Sequence, residues 1–361
     1  MKKKIIFLLH LPPPVHGAST VGLIIKFNFD RKNDFLKFYY SIGTTKYFSE
    51  RRKISLIKIL RFFFQFCKNC YNIIRLKPNL VYFTCSTHGM GFIKDSLYIL
   101  ILKLLKVNFI LHFHNKGFHK KSLSQFGIWY HNLILNNSKV ILLSHSLLKY
   151  YIPLVKKKNC FFLPNGIKDY SRQFTMENKP NFRILFVSNL VESKGVFDLL
   201  EICYNLKKVG IDFFLDIVGD EAEISKGKLY EWINSFGLSE RVTYYGALYG
   251  SDKWGVFSRA SLFLYPSRED CFPLVLLEAF SFGLPIVCSN EGALEDIVNH
   301  GNDGFIIPEY NPSHYVDKIS FLFSDKYILQ RFSQEARKSF ELKFREEIFI
   351  NNFAKIVETV I

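Results

Sequence analysis

SLFLYPSREDCFPLVLLEAFSFGLPIVCSN, Ser261 to Asn290, is the stretch on which the fold turns. A short β-rich apolar run closes on Pro266 and Ser267, and a polar loop follows from Arg268. Pro273 suits the first turn of a helix, while Gly283 and Pro285 supply its stop, so the spacing predicts a helix over Leu274 to Phe282. PIVCSN is then the next strand. Strand, loop, helix and strand in that order make a βαβ unit, which requires parallel strands. Within the helix, LVLLEAFSF carries a single carboxylate, Glu278, on an otherwise apolar cylinder, and Asp270 stands eight positions before it. An unpartnered buried carboxylate costs several kcal/mol. Glu278 therefore needs either the hydroxyls of a ligand or an internal partner, such as a backbone N–H or a basic side chain from the neighbouring lobe. The loop lies at the carboxyl end of a strand, where open α/β sheets bind ligands, and a helix start presents unpaired N–H groups to a phosphate.

The same alternation runs through the chain. IIFLLH, FLKFYY, LVYFTC, NFILHF, KVILLS and CFFLPN are followed later by RILFVSN, DFFLDIVGD, RVTYYG, SLFLYPS, PIVCSN and GFIIP, with helical patterns between them. Continuous apolar runs fit strands covered on both faces. Two successive doubly wound, Rossmann-like α/β domains are implied, with a cleft between them, and 361 residues exceed what one core comfortably serves. The boundary is expected in LPNGIKDYSRQFTMENKPNF, where Pro164, Gly166 and Pro180 punctuate a polar stretch. That gives an N-terminal domain over 1–165 and a C-terminal domain over 166–340. Residues 341–361 end a helical segment long enough to return onto the first domain. Neither half carries G-x-G-x-x-G or a P-loop, which counts against a dehydrogenase or an NTPase.

Charge divides the halves sharply. Residues 1–165 hold 27 Lys and Arg against 4 Asp and Glu, a balance of +23, whereas 166–361 hold 21 against 28, a balance of −7. The first half should attract an anionic membrane surface, a phosphorylated acceptor or nucleic acid. Cations and aromatics interleave from Arg31 to Lys77, and KILRFFFQFCKNCYNIIRLK, Lys58 to Lys77, has the pattern of a basic amphipathic helix lying on lipid. An interdomain or core helix with snorkelling cations fits it too. The opening MKKKIIFLLHLPPPVHG has too short an apolar run and no cleavage motif for a signal peptide, so it is read as a first buried strand. Lys103 and Lys106 interrupt the greasiest stretch, and no transmembrane segment is expected. Seven scattered cysteines, with one lone C-x-x-C at Cys67 and Cys70, do not suggest a disulfide framework. The expected location is cytoplasmic.

SREDCFPLVLLEAFSFGLP resembles the signature of the retaining glycosyltransferases of family 4, the glycosyl transferases group 1 with the GT-B fold. There an acidic residue, seven intervening residues and a Glu flank a phosphate-binding helix start. FVSNLVESKGVFDLL, FLDIVGD, VTYYGAL and EGALEDIVNHGNDGFIIP follow the family's order, and LPNGI resembles the segment that precedes them. The resemblance covers about Phe162 to Pro308. It implies that Glu278 binds the ribose hydroxyls of a nucleotide sugar and that Asp270 lies near the donor sugar. It places the diphosphate at the segment Phe272 to Val275, on the N–H groups of Phe272, Leu274 and Val275 around Pro273, with Lys194 as its cation, and sets Asn189, Gly219 and Gly246 along the donor. The family often has arginine at Asn189 and usually glutamate at Asp270. In the first domain PPPVHGAST resembles the family's glycine loop, which assigns Gly17 to the donor. ILHFHNKGF holds His112 and His114 on one face of a strand. His114 matches the family's active-site histidine; a capped strand-end histidine or a metal pair with His112 are the alternatives, and no D-x-D motif stands nearby.

The implied activity is transfer of a hexosyl or N-acetylhexosaminyl unit from a UDP- or GDP-sugar to a saccharide acceptor, with retention and without a metal or other cofactor. His114, Asp270 and Glu278 are the expected catalytic group. The charge of the first half suggests an acceptor linked to polyprenyl pyrophosphate, on the inner face of the cell membrane, in bacterial surface-polysaccharide synthesis. Nucleic acid is not an expected partner. The rival readings are a glycosidase using Asp270 and Glu278, a nucleotide-sugar epimerase of similar fold, and a non-catalytic binder of anionic surfaces or nucleic acid.

Overall fold

The computed structural model describes residues 2–13, 17–29, 35–43, 56–118, 124–152, 154–174 and 181–361. Pro14 to His16 of the glycine loop, parts of the basic stretch before Leu56, and Pro180 of the boundary segment lie outside these residues. Backbone contacts divide the chain into one unit of Met1–Gly166 with Glu346–Ile361, and a second of Ile167–Arg345.

The first unit runs β1 (Lys3–Leu9), α1 (Gly17–Ile24), β2 (Phe35–Ser41), α2 (Leu56–Leu76), β3 (Leu80–Cys85), α3 (Gly89–Leu104), β4 (Phe109–Phe113), α4 (Gln125–Leu135), β5 (Lys139–Leu142) and β6 (Cys160–Phe162). All strands pair in parallel, in the order β2-β1-β3-β4-β5-β6. β3 is buried along its whole length, as its unbroken apolar run requires. Its side chains alternate between two helical layers: Phe83 meets Tyr98 of α3, whereas Tyr82 meets Phe353 of the C-terminal helix, with ring centroids 5.6 and 5.1 Å apart. Lys103 ends the apolar run of α3 by donating to the carbonyls of Leu133 and Asn136 at the end of α4.

The second unit repeats the plan with β7 (Arg183–Val187), α5 (Val196–Lys208), β8 (Phe214–Val218), α6 (Lys226–Ser235), β9 (Val242–Tyr244), α7 (Gly250–Arg259), β10 (Leu262–Tyr265), α8 (Leu274–Ser281), β11 (Ile286–Ser289), α9 (Leu294–Ile297), β12 (Gly304–Ile307), α10 (Pro312–Ser324) and α11 (Lys326–Ser339). Its parallel order is β12-β11-β10-β7-β8-β9. α12 (Glu346–Val360) belongs to the first unit, where Phe353 also packs on Phe29 and Phe7. The strand order of each sheet reverses once, between β1 and β3 and between β7 and β10. The loops leaving β7 and β10 stand at that point on the carboxyl edge of the second sheet, where open α/β sheets bind ligands.

Candidate functional site

The β7 and β10 loops are locked together at this switch point. Glu192–Lys194 forms a tight turn ended by Gly195, whose φ is 75° and where a Cβ would stand 2.2 Å from the carbonyl oxygen of Pro266. Only glycine lets the two loops approach so closely. The Arg268 N–H donates to the Ser193 carbonyl at 2.8 Å. Lys194 Nζ then reaches the Glu269 carbonyl and Asp270 Oδ2, both at 2.7 Å. Tyr265 donates its phenol to the same carboxylate oxygen at 2.5 Å, and the other oxygen accepts from the Cys271 N–H. Burial, reinforced by the charge of Asp270, pushes the Tyr265 phenol well above its ordinary range, so it stays a donor. From the far side Gly292, at φ 59°, presses its backbone against the loop, where a Cβ would meet the Asp270 carbonyl at 2.3 Å. Arg268 is itself held by Asp198 of α5, with Nε 2.6 Å from Oδ2.

The loop delivers the chain to α8. Pro273 is its N-cap and supplies no side-chain capping bond, Phe272 is buried beneath, and Leu274 and Val275 are half-buried at the helix start. Glu278 lies one turn further on. Its partner is internal, but it does not come from the other lobe: Lys253 of α7, in the same unit, donates to Oε2 at 2.6 Å. Of the two readings of Glu278, the structure thus supplies an internal partner, a basic side chain of its own unit. Both side chains keep some exposure, 15% for Glu278 and 19% for Lys253, so the pair borders solvent. Lys253 also sits 4.7 Å from the ring of Trp254, which stacks on Tyr170.

The ends of β7, β8 and β9 meet at Gly219. Its N–H donates to the Gly246 carbonyl at 2.9 Å, and a Cβ would collide with the Ser188 carbonyl at 1.8 Å. Gly246 has φ 69°, and Asn189 accepts from the Asp220 N–H at 3.3 Å. Asn189, Lys194, Gly219, Gly246 and Asp270 therefore all border one carboxyl edge. In the first unit Gly17 opens α1, and among the described residues no atom comes within 4 Å of the place of its Cβ. Gly22 is tightly packed, and a Cβ there would stand 2.4 Å from the His10 carbonyl oxygen. The His112 and His114 rings stand 4.1 Å apart. His112 is buried, its Nδ1 bonds Tyr82 Oη, and its Nε2 has no hydrogen-bond partner. Burial first, and His114 second, hold its pKa well below the usual value, so it is neutral.

Lys253, Tyr265, Arg268, Gly195 and Gly292 escaped the sequence reading of the site. Gly195 and Gly292 stand inside the quoted ESKG and EGALED motifs, so their positions were available. Lys253 sits in an ordinary amphipathic helix with no local signal.

Residues 168–339 match the model of the family described as glycosyl transferases group 1. The second unit belongs to that family. Among relatives of this group 1 domain, the Staphylococcus aureus capsular polysaccharide biosynthesis glycosyltransferase CapM is 24% identical over 181 residues, 50% of this chain and 46% of CapM. The chain spans less than half the length of the curated relatives it matches. Solved structures resemble it throughout. A Rickettsia africae glycosyltransferase superposes with a TM-score of 0.79 over 99% of this chain and 98% of that one, at 18% identity. Anabaena HepE, solved with UDP and glucose, superposes with 0.73 over 99% and 100%, at 17% identity. The fold is GT-B.

Proposed function

We propose that the protein is a retaining glycosyltransferase that moves a sugar from a nucleotide diphosphate sugar to a saccharide acceptor. One observation carries the reading: Lys194 and Asp270 are joined at 2.7 Å beside the uncapped start of α8, at the switch point of the sheet. A diphosphate on the N–H groups of Phe272, Leu274 and Val275 competes with Asp270 for Lys194. Glu278, held by Lys253, accepts the ribose hydroxyls. The bond from the anomeric carbon to the diphosphate oxygen breaks with its electron pair going to the diphosphate, where Lys194 stabilises the growing charge. The acceptor hydroxyl attacks from the same face and its proton leaves with the diphosphate. His114 stabilises the positive charge at the anomeric carbon. No metal or other cofactor is assigned, since Lys194 and the helix start supply the positive charge.

The likeness to CapM supports a place in surface-polysaccharide synthesis, and HepE's UDP supports a UDP-sugar over a GDP-sugar. The charge of the first unit supports a polyprenyl-pyrophosphate-linked acceptor at the cytoplasmic face of the membrane. A thermal-shift panel of UDP-, GDP-, ADP- and CMP-sugars tests the donor, repeated on Glu278→Ala and Lys194→Ala. Stabilisation by one class, lost in both variants, is the expected result. No stabilisation by any of them defeats the reading, and conversion of the sugar without an acceptor replaces it with an epimerase.

A further inference from the structure

We propose that the layer formed by α2, α3 and α4 is a docking face for an anionic lipid bilayer. It deepens the acceptor side of the function proposed above. The three helices form one layer: Phe66 of α2 packs on Tyr98 of α3 at 4.8 Å, and Phe92 of α3 stacks on His131 of α4 at 4.2 Å. Phe62, Asn69 and Ile73 of α2 are buried, and Gln65 and Phe66 beside them are partly covered. At about 100° per residue, its eight exposed apolar residues, Leu56, Ile57, Ile59, Leu60, Phe63, Phe64, Tyr71 and Ile74, fall within an arc of roughly 160° on the side away from the buried residues. A helix facing water has the reverse arrangement. Arg61, Lys68 and Arg75 line one edge of the apolar stripe, as cations do on a helix lying in a headgroup layer.

The neighbouring helices also expose apolar groups. Met90 and Ile93 on α3, and Phe126 and Trp129 on α4, are exposed, Phe126 at 71%. Because the strands are parallel, all three helices begin at the carboxyl edge of the sheet, the edge that also carries Gly17 and His114. An exposed Trp and Phe beside cations suit the bilayer interface. The charge selects the occupant. Between Arg51 and Lys168 the chain has one acidic residue, Asp95, and it is buried, with Oδ2 accepting the Ser86 N–H. The outer surface of the layer therefore offers cations and apolar groups with no carboxylate to repel an anionic headgroup.

Flotation of the full chain with vesicles of phosphatidylcholine and phosphatidylglycerol, three to one, tests this against pure phosphatidylcholine. Binding to the mixed vesicles at low salt is expected. Phe63→Asp with Phe64→Asp, and separately Phe126→Asp with Trp129→Asp, should each lower partitioning by about tenfold or more. Unchanged thermal unfolding of the variants shows that they fold. Trp129 is the one tryptophan before Trp232, and vesicles should shift its emission to the blue, a change absent in Trp129→Phe. No binding, binding unaltered by both double substitutions, or self-association that the same substitutions abolish without any vesicle binding overturns the proposal. Vesicle binding needs no sugar nucleotide, so failure here and failure of the donor panel are separate results.

Discussion

The two units handle charge in opposite ways. In the second, carboxylates and cations near the site are matched one to one: Lys194 with Asp270, Lys253 with Glu278 and Arg268 with Asp198, while the buried Asp216 is held by Arg183 and Arg259. Such pairs hold side chains where a small, defined anion can exchange for one partner. In the first, cations far outnumber carboxylates, and the buried Asp95 is bonded to backbone. That surface suits a broad anionic partner with no fixed shape. On the functions proposed above, one fold, used twice, would serve a discrete ligand and a diffuse one, and the difference would lie in which charges are paired.

The comparison breaks most visibly at Lys194. Lys194→Ala should lower turnover with a nucleotide sugar by about 10²–10³, as loss of a fixed group at developing charge does; a turnover near that of the parent would mean that the pair is only structural. Gly292→Ala forces φ 59° on a residue with a Cβ and drives it against the Asp270 carbonyl. It should cost about 2 kcal/mol or more, read from denaturant unfolding. Asp270→Asn sharpens the contrast, because it frees Lys194: UDP should bind about three- to tenfold more tightly by calorimetry while transfer falls. Weaker UDP binding would show that Asp270 positions the lysine rather than competing for it.

The smallest effect belongs to the first unit. Burial pushes the Asp95 carboxyl up to about 6, only partly offset by its bonds to Ser86. Since the folded form holds this proton more tightly than the unfolded chain, its stabilisation is present at acid pH and is lost as pH rises towards about 6. Asp95→Asn should therefore flatten the fall in Tm between about pH 4 and pH 6 by a few degrees.

Much of the fold was legible because parallel strands buried on both faces must be continuous apolar runs, and LVYFTC became β3 without adjustment. The start of α8 was legible because Pro273 and Gly283 mark its ends chemically. What stayed hidden depends on partners distant in sequence. Glu278 announced that it needed a partner, but Lys253 looks like any cation on an amphipathic helix until α7 and α8 are placed side by side. The basic pattern of Lys58 to Lys77 left two readings open, since a helix does not state which of its apolar stripes its own sheet will cover. The structure covers Phe62 and Ile73 and leaves Phe63 and Phe64 outside.

The division of labour is tested most directly by measuring nucleotide-sugar affinity and vesicle partitioning on the same two proteins, Glu278→Ala and the Phe63→Asp, Phe64→Asp double variant. A crossed result is predicted: the first loses donor binding and keeps vesicle binding, and the second does the reverse. Donor binding that survives Glu278→Ala, or both properties falling together in either protein, contradicts the account.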